Sequence, residues 1–285
     1  VRDSAGITIV ENHGSVPTMA PEWRLSPEPI TSIGSFDGAE EDQLYTVRGA
    51  LRLPDGRLAV GNAGTNELRI YGPDGSHQRS WGGEGEGPGE FSFVLLAGQW
   101  GDSLVVLDRR LRRVSVLHPD EGFVRSFTPE EAVGQYLLGG WAMDSGTLLI
   151  RDIFLGDEET SLTDGFQRSP TPLTSCDAEG GLLADLGHFP GAEQVMSTQR
   201  TEHGIATMLM SVPFGKAPQI AVAGDRMYFG SQDSYEIGVY GPDGTLERLV
   251  RLDRDPVRAT DGDLAAYIEE DLVNRDAEEA PERRG

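Results

Sequence analysis

Across Leu44–Phe91 apolar residues fall in runs of strand length, and each run ends on a turn or loop. The pattern predicts four strands, Val47–Leu53, Arg57–Gly61, Glu67–Tyr71 and Ser76–Trp81. Turns fall at Pro54-Asp55-Gly56 and Pro73-Asp74-Gly75, a loop at Asn62–Asn66, and a glycine-rich crossing at Gly82–Phe91. Pro-Asp-Gly is a turn with a mechanism: Pro presets φ, Asp bonds back to the backbone, and Gly accepts positive φ. Strands joined in this way pair antiparallel, so the stretch predicts a small meander.

The second and third strands of this unit recur without gaps. GRLAVGNAGTNELRIY (Gly56–Tyr71), DSLVVLDRRLRRVSVL (Asp102–Leu117) and DRMYFGSQDSYEIGVY (Asp225–Tyr240) share one spacing, and a distorted copy begins at Gly140. Tyr-Gly-Pro-Asp-Gly occurs at Tyr71–Gly75 and again at Tyr240–Gly244. The first two copies lie about 46 residues apart, a period that fits one four-stranded propeller blade. The fold class expected is therefore all-β, a β-propeller of four-stranded antiparallel blades.

GGEGEGPGEF (Gly82–Phe91) before a strand, DSLVVLD (Asp102–Asp108) and the following R-x-S-V-L strand resemble the NHL-repeat propellers. They resemble more closely the bacterial six-bladed β-propeller proteins of secreted or lipoprotein type. VRDSAGITIVEN (Val1–Asn12) is similar to the start of the mature part of such proteins. The resemblance covers roughly Val1–Asp253. It implies an exported location, whether periplasmic, extracellular or lipoprotein-anchored. It does not name a function, since one fold hosts many.

The blades are expected at 44–81, 93–127, 136–187 and 217–252, with further strands at 6–11 and 23–34. In the third blade Phe166–Ser175 reads as a single strand, after an acidic detour carrying Asp157, Glu158 and Glu159. An insertion at His188–Pro213 reads as a hairpin around Glu202-His203-Gly204. The lone strand Gly6–Glu11 must pair, and in closed propellers the first strand often completes the last blade. His13–Glu22 reads as a Pro-rich connector. Residues 254–285 form a helical excursion and a charged tail. Thr260 and Asp263 are spaced as a capping box, ahead of a short helix with Leu264, Ile268 and Leu272 on one stripe. Four blades in a six-bladed family imply an open arc lacking about two blades. The alternative builds a fifth blade from Ile7–Ile33 and closes a smaller ring.

Composition changes this picture little. Thirty-seven Gly and 17 Pro suit a turn-rich all-β chain. A formal charge of −23 argues against nucleic acid or an anionic membrane surface as partner. No apolar run is long enough to span a membrane as a helix. Lys216 is the single lysine.

Candidate chemistry is sparse. Gly82–Gly89 lacks G-x-G-x-x-G and the Walker lysine, and leads to a strand, so it reads as a blade crossing. The histidines His13, His77, His118, His188 and His203 have no ligand spacing, and Cys176 has no His beside it in sequence. Asp253, Asp255, Asp261 and Asp263 miss the calcium-loop pattern. No cofactor is expected. Loops joining second to third strands and blade to blade emerge at one end of a propeller, and rigid scaffolds concentrate function in loops. The candidate binding face is therefore Asn62, Asn66, Glu86, Glu90, Asp108, Arg109, Arg110, Trp141, Gln232, Asp233 and Tyr235. It fits a non-catalytic module that binds a protein, peptide or glycan. The rival reading is a calcium-dependent hydrolase or lyase of lactonase or peptide-lyase type, which requires carboxylates converging on the axis.

Overall fold

The computed structural model describes residues 1–13, 24–133, 137–153, 164–201 and 204–279. A hairpin of β1 (Arg2–Ser4) and β2 (Ile7–His13) opens the chain. The first blade is β3 (Val47–Arg52), β4 (Leu58–Asn62), β5 (Glu67–Tyr71) and β6 (His77–Gly82). The second is β7 (Leu95–Trp100), β8 (Ser103–Asp108), β9 (Arg113–His118) and β10 (Gly122–Phe127). The third begins with β11 (Leu137–Ala142) and β12 (Leu148–Asp152). The chain then leaves to form β13 (Gly165–Gln167) and returns as β14 (Thr171–Cys176) and β15 (Leu182–Phe189). A long hairpin, β16 (Gln194–Thr201) and β17 (Gly204–Ser211), pairs with β13 in a separate sheet. The fourth blade is β18 (Gln219–Ala223), β19 (Arg226–Gly230), β20 (Glu236–Tyr240) and β21 (Leu246–Asp253), and α1 (Asp261–Glu279) follows.

Every blade is an antiparallel meander, and the first strands β3, β7, β11 and β18 neighbour one another in that order. The result is an arc of four propeller blades packed face to face. Leu104 and Val106 of β8 pack toward the first blade with Leu68, Ile70 and Phe91, while Val105 and Leu107 pack toward the third with Leu148, Ile150 and Cys176. Leu149 and Leu173 of the third blade meet Met227 and Phe229 of the fourth. Strands covered on both faces need continuous apolar runs, which explains Leu104–Leu107 and Leu148–Ile150. Each such side chain contributes about 1.5–3 kcal/mol by leaving water.

The inner strands approach closely where glycine permits it. The ladder is irregular between Val47 and Ala50 and between Leu96 and Gly98, and Gly49 and Gly98 have φ of +99° and +145°. A β-carbon on Gly49 would lie 2.6 Å from the Leu96 carbonyl oxygen, so a side chain there would force the first two blades apart.

Four-stranded antiparallel blades form, as the fold class predicts, with three corrections to the strands expected. Residues 24–34, expected as strand, carry none, so among the described residues no fifth blade is built from Ile7–Ile33; Pro27 and Pro29 deny the ladder donors there. Phe166–Ser175 is divided between β13 and β14, which lie in different sheets; Pro170, which cannot donate to a ladder, falls in the gap, while Pro172 is already within β14 opposite His188. Strand β2 pairs with β21, but in parallel and outside a blade that already has four strands. Thr260 caps α1 as expected: Asp263 Oδ2 accepts from the Thr260 amide and hydroxyl at 2.8 and 2.7 Å, and α1 extends to Glu279. The connector at 14–22, Trp23, the acidic detour at Asp157–Glu159, the hairpin tip at 202–203 and residues 280–285 lie outside the described residues.

The exposed side of the first blade is covered by an irregular segment clipped to one arginine. Arg69 of β5 is 2% exposed and donates through Nη1 to the carbonyls of Glu40, Glu41 and Gln43 at 3.0, 2.9 and 2.8 Å. Its Nε and Nη2 reach Glu67 Oε2 at 2.9 and 2.7 Å, and the Tyr71 hydroxyl donates to Glu41 O at 2.8 Å. These carbonyls lie in and just after the short 3-10 turn Glu40–Asp42, whose Glu40 carbonyl also accepts the Gln43 amide at 3.2 Å, so Arg69 gathers the whole turn onto β5. Arg69→Met should therefore cost on the order of 3 kcal/mol, the scale of breaking a buried charged network. Urea unfolding measures this, and a loss under about 0.5 kcal/mol, the scatter of ordinary surface substitutions, would show that the clip contributes nothing.

Candidate functional site

At the loop-rich end the second strands finish on buried polar anchors. Asn62 is fully buried; its Oδ1 accepts the Tyr45 amide at 2.7 Å and its Nδ2 donates to Thr65 Oγ1 at 2.8 Å. Asp108, also fully buried, accepts the amides of Ser92 and Phe93 on Oδ2 at 2.7 and 3.1 Å, and those of Arg110 and Leu111 on Oδ1 at 3.0 Å each. These two residues hold loops in place. Asn66 and Arg112 take left-handed φ of 53° and 48°, one residue before β5 and β9 respectively.

Glu86, Glu90, Asp108, Arg109 and Arg110 come together around the crossing between the first and second blades. Arg113 donates to the carbonyls of Glu86, at 2.7 Å, and Glu90, while Glu90 Oε2 accepts the Gly87 amide at 2.9 Å. The Arg109 guanidinium lies 4.1 Å over the Phe93 ring, and Arg110 donates to Ser92 O at 3.3 Å. Gln232 and Asp233 form a second group on the fourth blade. Gln232 Oε1 accepts the Ala217 amide at 2.9 Å, and Asp233 Oδ1 accepts from Arg168 Nη1 and Lys216 Nζ at 2.7 Å each. Those two cations hold the Asp233 carboxyl far below the usual carboxylate range. Tyr235 stands apart, 5.9 Å from Arg254 and beside a cavity of about 400 Å³ shared with His13 and Asp253.

Trp141 belongs elsewhere. It lines a cavity of about 450 Å³ on the axis of the arc, together with Leu51, Leu96, Gln99, Asp144 and Val222 from the first strands of all four blades and the turns after them. The cavity opens at the end opposite the long loops, among the turns that join first to second strands. Its walls combine these side chains with the free backbone edges of the inner strands. Among the described residues, Asp144 is the single ionisable side chain on its lining. The site's missed members, Leu51, Gln99, Asp144 and Val222, had one sequence signal: each lies at or just before the first hairpin turn of its blade.

The same end is acidic by construction. First-hairpin turns carry Asp55, Asp102, Asp144 and Asp225, and second-hairpin turns carry Asp74, Asp120, Asp177 and Asp243. Several act as turn formers, accepting the amide two residues on: Asp55 from Arg57, Asp74 from Ser76, Asp177 from Glu179 and Asp243 from Thr245. The Ser76 hydroxyl and amide hold Asp74 low, and the Thr245 amide and hydroxyl do the same for Asp243. Asp225 is lowered by Ser145, whose amide it accepts at 2.6 Å across the third and fourth blades. Asp55 and Asp120 are neutralised by Arg57.

Among the described residues, no three His, Cys, Asp or Glu side chains stand close enough to hold a metal ion. Cys176 is buried in the core between the second and third blades, and burial pushes its thiol up to about 12, which leaves it inert as a nucleophile. Among the described residues no helix is long and apolar enough to cross a membrane.

No family model matches the chain, and no curated protein matches it. Solved structures do. A candidate exported protein of Bacteroides fragilis aligns over 89% of this chain and 63% of its own, at 12% identity and a TM-score of 0.49. The chain thus spans less than two thirds of that protein's length. A streptogramin B lyase aligns over 73% and 70%, at 13% identity and a TM-score of 0.35. The WD40 domain of Toxoplasma gondii coronin aligns over 72% and 45%, at 14% identity and a TM-score of 0.38.

The Asp233 cluster gives a pH test. A carboxyl whose folded pKa is depressed adds stability above its unfolded pKa of about 3.9, and that stability is lost as pH falls through the folded value. The melting temperature of the wild type should therefore fall toward that of Asp233→Asn as pH drops from about 5 to about 2. A difference between the two that stays constant over this range would mean that the ion pairs add nothing.

Proposed function

We propose that this chain is a non-catalytic binding module, a propeller arc that presents its ends to a protein, peptide or glycan partner. The observation that carries this reading is the axial cavity, about 450 Å³, walled by aliphatic side chains, one indole and strand edges, with a single carboxylate. Such a lining offers contact area and hydrogen bonds, and it lacks the paired acid and base that general acid–base chemistry requires. The anchors Asn62 and Asp108 support the same reading, since they fix the shape of loops at the other end and leave no buried reactive group there. In this proposal the four blades belong to the six-bladed, NHL-repeat type of the secreted or lipoprotein class, and the protein is exported. The exposed side of β20, where Ile237 is 46% accessible, is the seam for a further blade.

Calorimetric titration of peptide and glycan libraries tests the proposal with two variants, Gln99→Trp to fill the axial cavity and Arg109→Ala to strip the loop end. Stoichiometric binding that one variant weakens at least about tenfold, with an unchanged melt, is the expected result, since a well-made anchor contact is worth more than about 1 kcal/mol. Calcium-dependent turnover of a lactone or peptide in the absence of a stoichiometric partner would overturn it.

A further inference from the structure

The axial cavity has a polarity that narrows its ligand. Asp144 sits on its rim, and among the described residues its carboxylate has no cationic partner, although Arg57, Arg79 and Arg226 pair with other carboxylates at this end. The backbone around it is fixed: the Asp144 amide donates to Gly224 O at 3.3 Å. Gly224 also leaves one flank of the carboxylate open, since a β-carbon there would stand 4.0 Å from Asp144 Oδ2. Inward from Asp144, Trp141, Leu51 and Val222 form an apolar wall beside unpaired strand edges. Arg151 occupies a place over the Trp141 ring at 5.9 Å, so the indole serves as a wall for an aliphatic stem and not as a second cation site.

We infer that this cavity recognises an ammonium group carried by a polypeptide, a lysine side chain or a free N-terminus, seated at Asp144. The inference rests on the binding function proposed above and names the ligand's chemistry. An ammonium group on an aliphatic stem matches both parts of the cavity, the lone carboxylate and the apolar wall behind it. A polypeptide supplies the amides that the free edges of β3, β7, β11 and β18 require. A neutral glycan would leave Asp144 without a counter-charge. The chain's net charge of −23 and the ionised turn aspartates favour approach of such a cation at this end.

The test uses the whole chain and four short peptides: one lysine with a blocked N-terminus, its acetyl-lysine counterpart, a lysine-free peptide with a free N-terminus, and a glutamate counterpart. A neutral chitin oligosaccharide completes the set. Calorimetry should show binding of one or both ammonium peptides, and the two arms separate a side-chain source from a terminal one. Acetylation, the glutamate exchange and Asp144→Asn should each weaken binding about tenfold, the scale of a hydrogen bond to a charged group, and the ammonium peptides should bind less tightly as salt rises. Asp37→Asn, on the exposed irregular segment over the first blade and outside the cavity lining, should leave the affinity unchanged. Equal binding of the lysine and acetyl-lysine peptides, or unchanged affinity in Asp144→Asn, would overturn the ammonium inference and leave the binding function standing. Binding of the oligosaccharide alone would do the same, and binding by no probe would overturn the ammonium inference while the library titration decides the wider function.

Discussion

Leu104, Val105, Val106 and Leu107 are consecutive on β8, and all four are inaccessible to solvent because a blade packs on each face of their sheet. This two-sided burial is the constraint on which the rest of the arc depends. A single four-stranded meander has no core of its own; it acquires one by stacking, so each blade is stable only through its neighbours. Stacking in turn brings β3, β7, β11 and β18 side by side with their axial edges unpaired. The axial cavity is the space those edges leave, and its backbone donors and acceptors follow from the packing of cores that lie away from it.

The ends of the arc differ because two kinds of connection obey different chemistry. Short hairpin turns need a residue that accepts a backbone amide two positions on, and aspartate does this well. Repeating the blade therefore repeats the aspartate, and one end becomes acidic as a by-product of turn formation. Long connections at the other end are held by the anchors Asn62 and Asp108, which are fully buried and turn their polar atoms to loop groups instead of solvent. Asp144 belongs to the first class by position, yet among the described residues its side chain has no partner that would explain it as a turn former alone.

The blades were legible in the sequence because their second and third strands recur without gaps and because two-sided burial leaves unbroken apolar runs. Strand β17 and its partner β16 were legible as a hairpin, while the pairing of β16 with β13 was not, since Phe166–Ser175 reads as one run until Pro170 is weighed against a ladder that needs its donor. Arg69 gave no signal either: an arginine between two apolar residues reads as a solvent-facing position, and its burial depends on carbonyls 26 to 29 residues earlier in the chain. Of the candidate binding residues, those at the crossing of the first two blades fall together, whereas Trp141 lies at the other end. Loop length pointed to one end of the arc; the cavity lies at the end with the shortest connections, because inner-strand edges, which no pattern of hydrophobicity reveals, form its walls.

That geometry has a consequence for how the arc accommodates change. Loops at the long-connection end are tied by side-chain anchors within single blades or between adjacent ones, so they can vary without disturbing the stack. Residues at the cavity cannot. Gly49 admits no side chain against the Leu96 carbonyl, and Gly98 stands 3.0 Å from Ala142 at the position a β-carbon would take. The inner strands are therefore held at one separation by glycine and by the three interblade cores together. Specificity in the cavity is left to the few side chains that project past those edges, among which, in the described residues, Asp144 alone carries charge. Replacing it changes the field at the mouth while leaving the walls in place, which is why the choice of ligand can be altered there independently of the fold.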